Sequence, residues 1–455
     1  MDVTTSTHRW LLGVVAVIVL VTGAGLVTLW PSADALPAVD EAPEPLVTAE
    51  VTAVELTGEA ADPAVGGGAV ADVQVRLLEG DEVGRDVTLR VDLDGLPAIE
   101  PGARVELART VGPDGDVDYF VTDFRRLPTL ALLVGLFIAA VLVVGRWHGL
   151  RSLLGLAISL LLIVRFVVPA ILAGQNPPLV ALVGALAVMV VTLYLAHGVN
   201  EMTTAAIVGT AGALVLTVLL ALVFIDQAAI TGFASEDAVF ARQQVDGLDL
   251  QGLVLAGLII AALGVLDDVT VSQASTVFAL HETDRTLPFV TLFARAMKVG
   301  RDHIASVVNT LFLAYAGASL ALLVIFSTGG LATAEIVNSE VLAVEIVKTV
   351  VGSLGLIAAV PLTTALAALV AVRRPDGAPA LAVADHGHGR AAGPGSAPAP
   401  YAGGETEPVD DEERAARAWA RYLQEHGVGS DDDGDAPDAA DPDAPLSDRP
   451  PRDRG

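Results

Sequence analysis

Long uncharged runs of alanine, valine, leucine and glycine recur along this chain, separated by short polar joints. A hydrocarbon layer about 30 Å thick needs about 20 apolar residues at helical rise. Eight runs approach or exceed that length: residues 10–30, 129–145, 150–172, 179–196, 203–225, 251–274, 304–326 and 342–372. The first is longer than the roughly 7–15-residue core of a secretory signal, so it reads as a retained anchor. The last is long enough to tilt, or to break at Pro361. The expected fold is a mainly α membrane protein with about eight transmembrane helices.

Hydrophobic residues make up 53% of the 455, yet the formal net charge is −28. The two facts are compatible only if charge and hydrophobicity occupy different parts of the chain, the pattern of membrane proteins. The acidic excess lies in residues 31–128 and after Arg374. Nucleic-acid binding needs clustered Lys and Arg, so this balance argues against it. With no cysteine, disulfides, iron–sulfur clusters and cysteine-based zinc sites are excluded. No cofactor or metal is expected.

Lys and Arg in short loops set orientation. Arg146 and Arg151 follow the second run, Arg285, Arg295, Lys298 and Arg301 the sixth, and Arg373 and Arg374 the eighth. Loops after the third, fifth and seventh runs hold little positive charge beyond Arg242. Both termini are therefore expected in the cytoplasm of a multi-pass cell-membrane protein, with residues 31–128 outside it.

Residues 31–45 read as a Pro-rich acidic linker. Five alternating runs follow, at 46–56, 71–78, 86–93, 104–110 and 117–124, separated by turn signals such as Gly66–Gly68 and Pro113–Asp116. They predict a small extracytoplasmic β-barrel-like domain of OB or SH3-like type over 46–125, ahead of a seven-helix domain over 129–372. Residues 375–455 read as a disordered acidic tail, with one short helix near 410–426.

Ionisable side chains inside apolar spans are costly and therefore informative. In the sixth run Asp268, Ser272 and Ser275 share a helical face, while Asp267 projects about 100° away. These groups can line a polar pocket for a cation or proton; alternatively, the pair lies beyond the hydrocarbon edge near the cytoplasm. Arg165 interrupts the third run and should face protein, with Asp267 or Asp268 as candidate partners; snorkelling is the alternative. In the seventh, Asp302, Ser306, Asn309 and Thr310 follow helical spacing, as ligand contacts or as interhelical hydrogen bonds. His303 has no partner at metal-ligand spacing.

Taken in order, the chain resembles the YibE/F family of prokaryotic membrane proteins over about residues 46–370. The resemblance rests on the β domain followed by Arg126, then Gly174, Asn176 and Pro177, Asn200 through Gly209 and Thr210, Asp267 in its Ser- and Thr-containing run, and Gly300 through Asn309, Thr310, Tyr315 and Gly317. It implies a multi-spanning membrane protein, and Asp267 rather than Asp268 as the family's acid. It brings no catalytic residue with it.

The leading expectation is a non-enzymatic, permease-like protein moving a small solute or ion along Asp267, Asp268, Ser272, Ser275, Asp302, Asn309, Thr310 and Arg165. No phosphate-binding Gly-rich loop with Lys-Ser/Thr is present, so a gradient would supply the energy. The alternative is an accessory or scaffold protein docking a protein partner, or a second copy, through its β domain and tail. A third reading, an intramembrane aspartyl protease, follows from the loose likeness of Gly264–Asp267 to a Gly-x-Gly-Asp motif. It needs a second carboxylate able to share a proton, and only Asp226 and Asp302 are candidates.

Overall fold

The computed structural model describes residues 3–32, 46–59, 69–80, 82–93, 96–97, 99–111, 117–330 and 332–374. Most of the linker, the turns at Gly66–Gly68 and Pro113–Asp116, the tail and its short helix lie outside the described residues.

After α1 (Val3–Leu29) come five strands: β1 (Val47–Glu59), β2 (Ala69–Leu77), β3 (Asp86–Asp92), β4 (Arg104–Val111) and β5 (Val117–Phe124). They form one antiparallel sheet in the order β3-β2-β1-β4-β5, curled into a nearly closed barrel. Strict alternation builds it. Ala71, Val73, Val75 and Leu77 of β2 all point inward, against Ala49, Val51, Val105 and Leu107. Thr48, Glu79 and Arg125 tie the barrel's exit to its first strand: Thr48 Oγ1 donates to Glu79 Oε2 at 2.8 Å, and Arg125 Nη1 donates to Thr48 Oγ1 at 2.9 Å.

The rest is helical: α2 (Leu127–Leu162), a π-helical turn at Ile163–Val167, α3 (Val168–Leu172), α4 (Pro177–His197), α5 (Glu201–Gln227), α6 (Glu236–Gln244), α7 (Leu250–Thr283), α8 (Phe289–Ala318), α9 (Leu320–Thr328), α10 (Thr333–Asn338) and α11 (Glu340–Val372). Among the described residues six helical segments are long and apolar enough to cross a membrane, or seven if the α8–α9 pair, bent by 61°, counts as one.

One of the six, Leu127–Leu172, merges the second and third expected spans. Its continuity is only nominal. Arg146 leaves helical geometry at φ 48°, ψ −123°, and a Cβ at Gly149 would collide with the Val141 carbonyl. Eight residues of straight helix cover about 12 Å, so that contact requires the chain to turn back at Arg146.

Elsewhere the structure extends the expected elements. α7 runs nine residues past the expected end at 274, so Asp267 and Asp268 sit mid-helix rather than at its edge. α8 begins fifteen residues before the expected 304, which places Asp302 and His303 within it. α11 carries Pro361 without breaking.

Small residues let α5, α7, α8 and α11 approach closely. A Cβ at Gly209 would collide with the Thr363 hydroxyl, and one at Gly355 with that of Thr217. A Cβ at Gly300 would lie 2.6 Å from Val360 Cγ1. Lys, Glu or Leu at these points would hold the helices apart.

Candidate functional site

α7 starts at Asp249, whose Oδ1 accepts the Gly252 amide at 2.9 Å, and carries Gly264 and Asp267 on one face, three residues apart. α4 starts at Asn176, which caps the Leu179 amide at 3.0 Å. It presents Gly184, Val188 and Thr192, each four residues from the last, toward α7. The second half of α2 and the π turn contribute Leu156, Ser159, Ile163 and Val167. The extra residue of a π turn shifts the helix face locally, and Val167 is thereby pressed against Gly184, where a Cβ would meet it at 2.7 Å.

These helices border a cavity of about 330 Å³, open on the side of Leu156 and Gly264. Its walls are almost wholly apolar, and Asp267 is the one charged residue lining it. Two hydroxyls share the space, but both give their hydrogen to their own helix. Ser159 donates to the Gly155 carbonyl at 2.9 Å and Thr192 to that of Val188 at 2.8 Å. Thr192 Oγ1 stands 3.5 Å from Asp267 Oδ2, too long for a strong bond. Asp267 Oδ1 is buried and has no hydrogen-bond partner among the described residues. The cavity thus offers acceptors with no donor to meet them. A buried unpaired carboxylate is costly, and a proton or a small cation meets that cost.

Behind Asp267 the helix is sealed by a polar seam. Thr270 Oγ1 lies 2.5 Å from Thr210 Oγ1 on α5. Gln273 Nε2 donates to the Ala296 carbonyl of α8 at 3.1 Å and to Thr364 Oγ1 of α11 at 2.7 Å. Thr210, Thr270, Gln273 and Thr364 are all buried.

The eight expected path residues do not converge. Asp267 lines the cavity. Asp268 is exposed and does not line the cavity, and Ser272 and Ser275 are half-buried without lining it. Asp302, Asn309 and Thr310 are exposed on α8, and the Thr310 hydroxyl donates to the Ser306 carbonyl at 3.0 Å. Arg165 points outward from the π turn, and no ion pair joins it to Asp267 or Asp268. The reason is azimuth. Phe166 and Val167 take the inward positions of that turn, so Arg165 is rotated away from the bundle. Asp226 and Asp302, the acids a protease would need, are exposed and line no wall of this cavity. Among the described residues no group of three or more His, Cys, Asp or Glu is arranged to hold a metal ion.

Sequence reasoning missed Thr192, Ser159 and Gly184. Gly184 and Thr192, eight residues apart on one face of α4, were the available signal, and a small and a hydroxyl residue on one face are also an ordinary signature of close helix packing.

A family model described as YibE/F-like protein matches residues 133–373, just over half of the chain. That segment holds every residue of the cavity and leaves the β domain outside the match. No curated protein and no solved structure matches.

Proposed function

The chain belongs to the YibE/F-like family, and from that premise we propose that it is a multi-pass, permease-like membrane protein that moves a small cation or protonatable solute past Asp267. The apolar helices and the family support a membrane protein. Splitting Leu127–Leu172 at Arg146 and counting α8–α9 as one crossing gives eight crossings, one more than the seven helical segments so counted. With Lys and Arg gathered at the even-numbered exits, both termini are then cytoplasmic and the β barrel faces outward.

The observation that carries the transport reading is Asp267 itself. Its Oδ1 is buried without a donor, in a cavity of about 330 Å³ on a helix long enough to span the membrane. A group of this kind exchanges partners as the two sides of a membrane present them, which is the elementary step of gradient-driven movement. Asp268, exposed beside it, serves as an internal control.

The test is flux into proteoliposomes holding the full-length protein, under an imposed proton or cation gradient and with a panel of monovalent and divalent cations. Wild type and Asp268→Asn are expected to conduct alike, while Asp267→Asn loses at least tenfold. Flux that survives Asp267→Asn undiminished would remove the reading, and an absence of flux for wild type would favour the docking role.

A further inference from the structure

A second cleft lies away from Asp267, where α8 and α9 part. The helix bends by 61° at Ser319, and no residue of the apolar α9 is buried. Between the bend and the first turns of α11 lies a groove of about 220 Å³, whose walls include Phe312, Leu323, Ile346 and Val350. A companion cavity of about 350 Å³ continues on the other side of Tyr315 and Glu345, reaching Lys348.

The two spaces share Tyr315 and Glu345, and Lys348, which lines only the second, pairs with Glu345. Lys348 Nζ stands 2.8 Å from Glu345 Oε1, with side chains only 26% and 24% exposed. That pair leaves chemistry unused. Lys348 has two further N–H donors, Glu345 Oε2 has no donor among the described residues, and neither does the Tyr315 hydroxyl have a partner there. The depth is also informative. α11 has 33 residues, so it is about 50 Å long against about 30 Å of hydrocarbon. An overhang of about 10 Å at each end sets residues 345 and 348, the sixth and ninth of the helix, at the headgroup boundary.

We propose that this cleft binds a phospholipid whose head carries a primary ammonium and a phosphate. The ammonium is held by Glu345 and the Tyr315 hydroxyl, the phosphate by Lys348, and an acyl chain follows Phe312, Leu323, Ile346 and Val350. An ionised donor and acceptor side by side match a zwitterion better than either an anion or a trimethylated ammonium, which has no N–H to donate. The bend at Ser319 parts α8 from α9 beside the groove, and its exposed apolar walls suit an acyl chain. The inference rests on the membrane-spanning reading but not on transport through Asp267.

Full-length protein in detergent, titrated with phosphatidylethanolamine, phosphatidylcholine and phosphatidylglycerol of identical acyl chains and read by native mass spectrometry, tests it. The ethanolamine lipid is expected to bind about tenfold more tightly than the other two, and Glu345→Gln or Lys348→Gln to remove about that factor. Tyr315→Phe, which keeps the ring, should weaken binding severalfold. Exchanging the pair, Glu345→Lys with Lys348→Glu, keeps both charges and covers the case in which a single variant fails to fold; it should abolish the preference. Equal binding of the three lipids, unchanged binding in stably folded variants, or competition by soluble phosphoethanolamine as effective as the lipid itself would each overturn the proposal. Flux through Asp267 can stand or fall separately.

Discussion

Arg374 closes the described helical region with its guanidinium between two glutamates. Its Nε lies 2.9 Å from Glu201 Oε2 on α5, its Nη1 lies 3.8 Å from Glu282 Oε1 on α7, and the group sits 5.8 Å from the Phe278 ring centre. With the Arg374 side chain only 11% exposed, Arg374→Ala is expected to cost about 1–3 kcal/mol, measured as thermal unfolding in detergent. A double-mutant cycle with Glu201→Gln should return a coupling of similar size; additive effects would show that the clamp holds nothing. In the barrel, hydrogen bonds from Thr48 and Arg125 hold the Glu79 carboxyl below its usual range, and the Phe124 amide and Arg126 do the same for Asp123. A depressed folded value stabilises the fold above the ordinary carboxylate range of about 4 and loses that contribution as pH falls through it. The barrel's melting temperature should therefore drop on acidification, and Glu79→Gln with Asp123→Asn should flatten that drop. At this scale the sequence was partly legible. It showed that an acid stood in the sixth span, but Asp267 and Asp268 differ only in azimuth, which depends on where α2 and α4 lie.

Among the elements, the strands followed their alternation closely because each has one buried face, and β5 spans Val117–Phe124 as its pattern indicates. Helix ends were less legible. α7 continues to Thr283 because residues 277–280 extend its apolar face and His281, Glu282 and Thr283 are compatible with a helix, whereas the hydropathy reading stopped at the hydroxyl pair Ser275 and Thr276. The turn at Arg146 was expected from the polar joint between two runs, but the close return of Gly149 onto Val141 was not, since it depends on the absence of a side chain. That dependence is testable along the helix contacts. Gly209→Val, which drives a side chain into Thr363, should destabilise the bundle by about 1–3 kcal/mol. Gly257→Ala, where a Cβ meets nothing within 4 Å, should leave the melting temperature unchanged or slightly raised. Equal responses at the two positions would contradict the close approach of α5 and α11.

Across the whole molecule, the helical bundle carries both the family match and the cavity, and the barrel lies outside that match. Class and order of elements were readable because the bilayer's thickness imposes a length on every span. The cavity was not, because its walls come from helices distant in sequence, with Thr192 and Asp267 separated by 75 residues. The chain's lack of cysteine makes the decisive measurement clean. Gly264 lines the cavity one turn from Asp267, and a Cβ there meets nothing within 4 Å, so Gly264→Cys should fold. Reaction of that variant with a small thiol reagent in proteoliposomes is predicted to stop flux, while the same reagent on Asp268→Cys leaves it running. Complete modification at 264 with flux unchanged would contradict the claim that solute passes through this cavity.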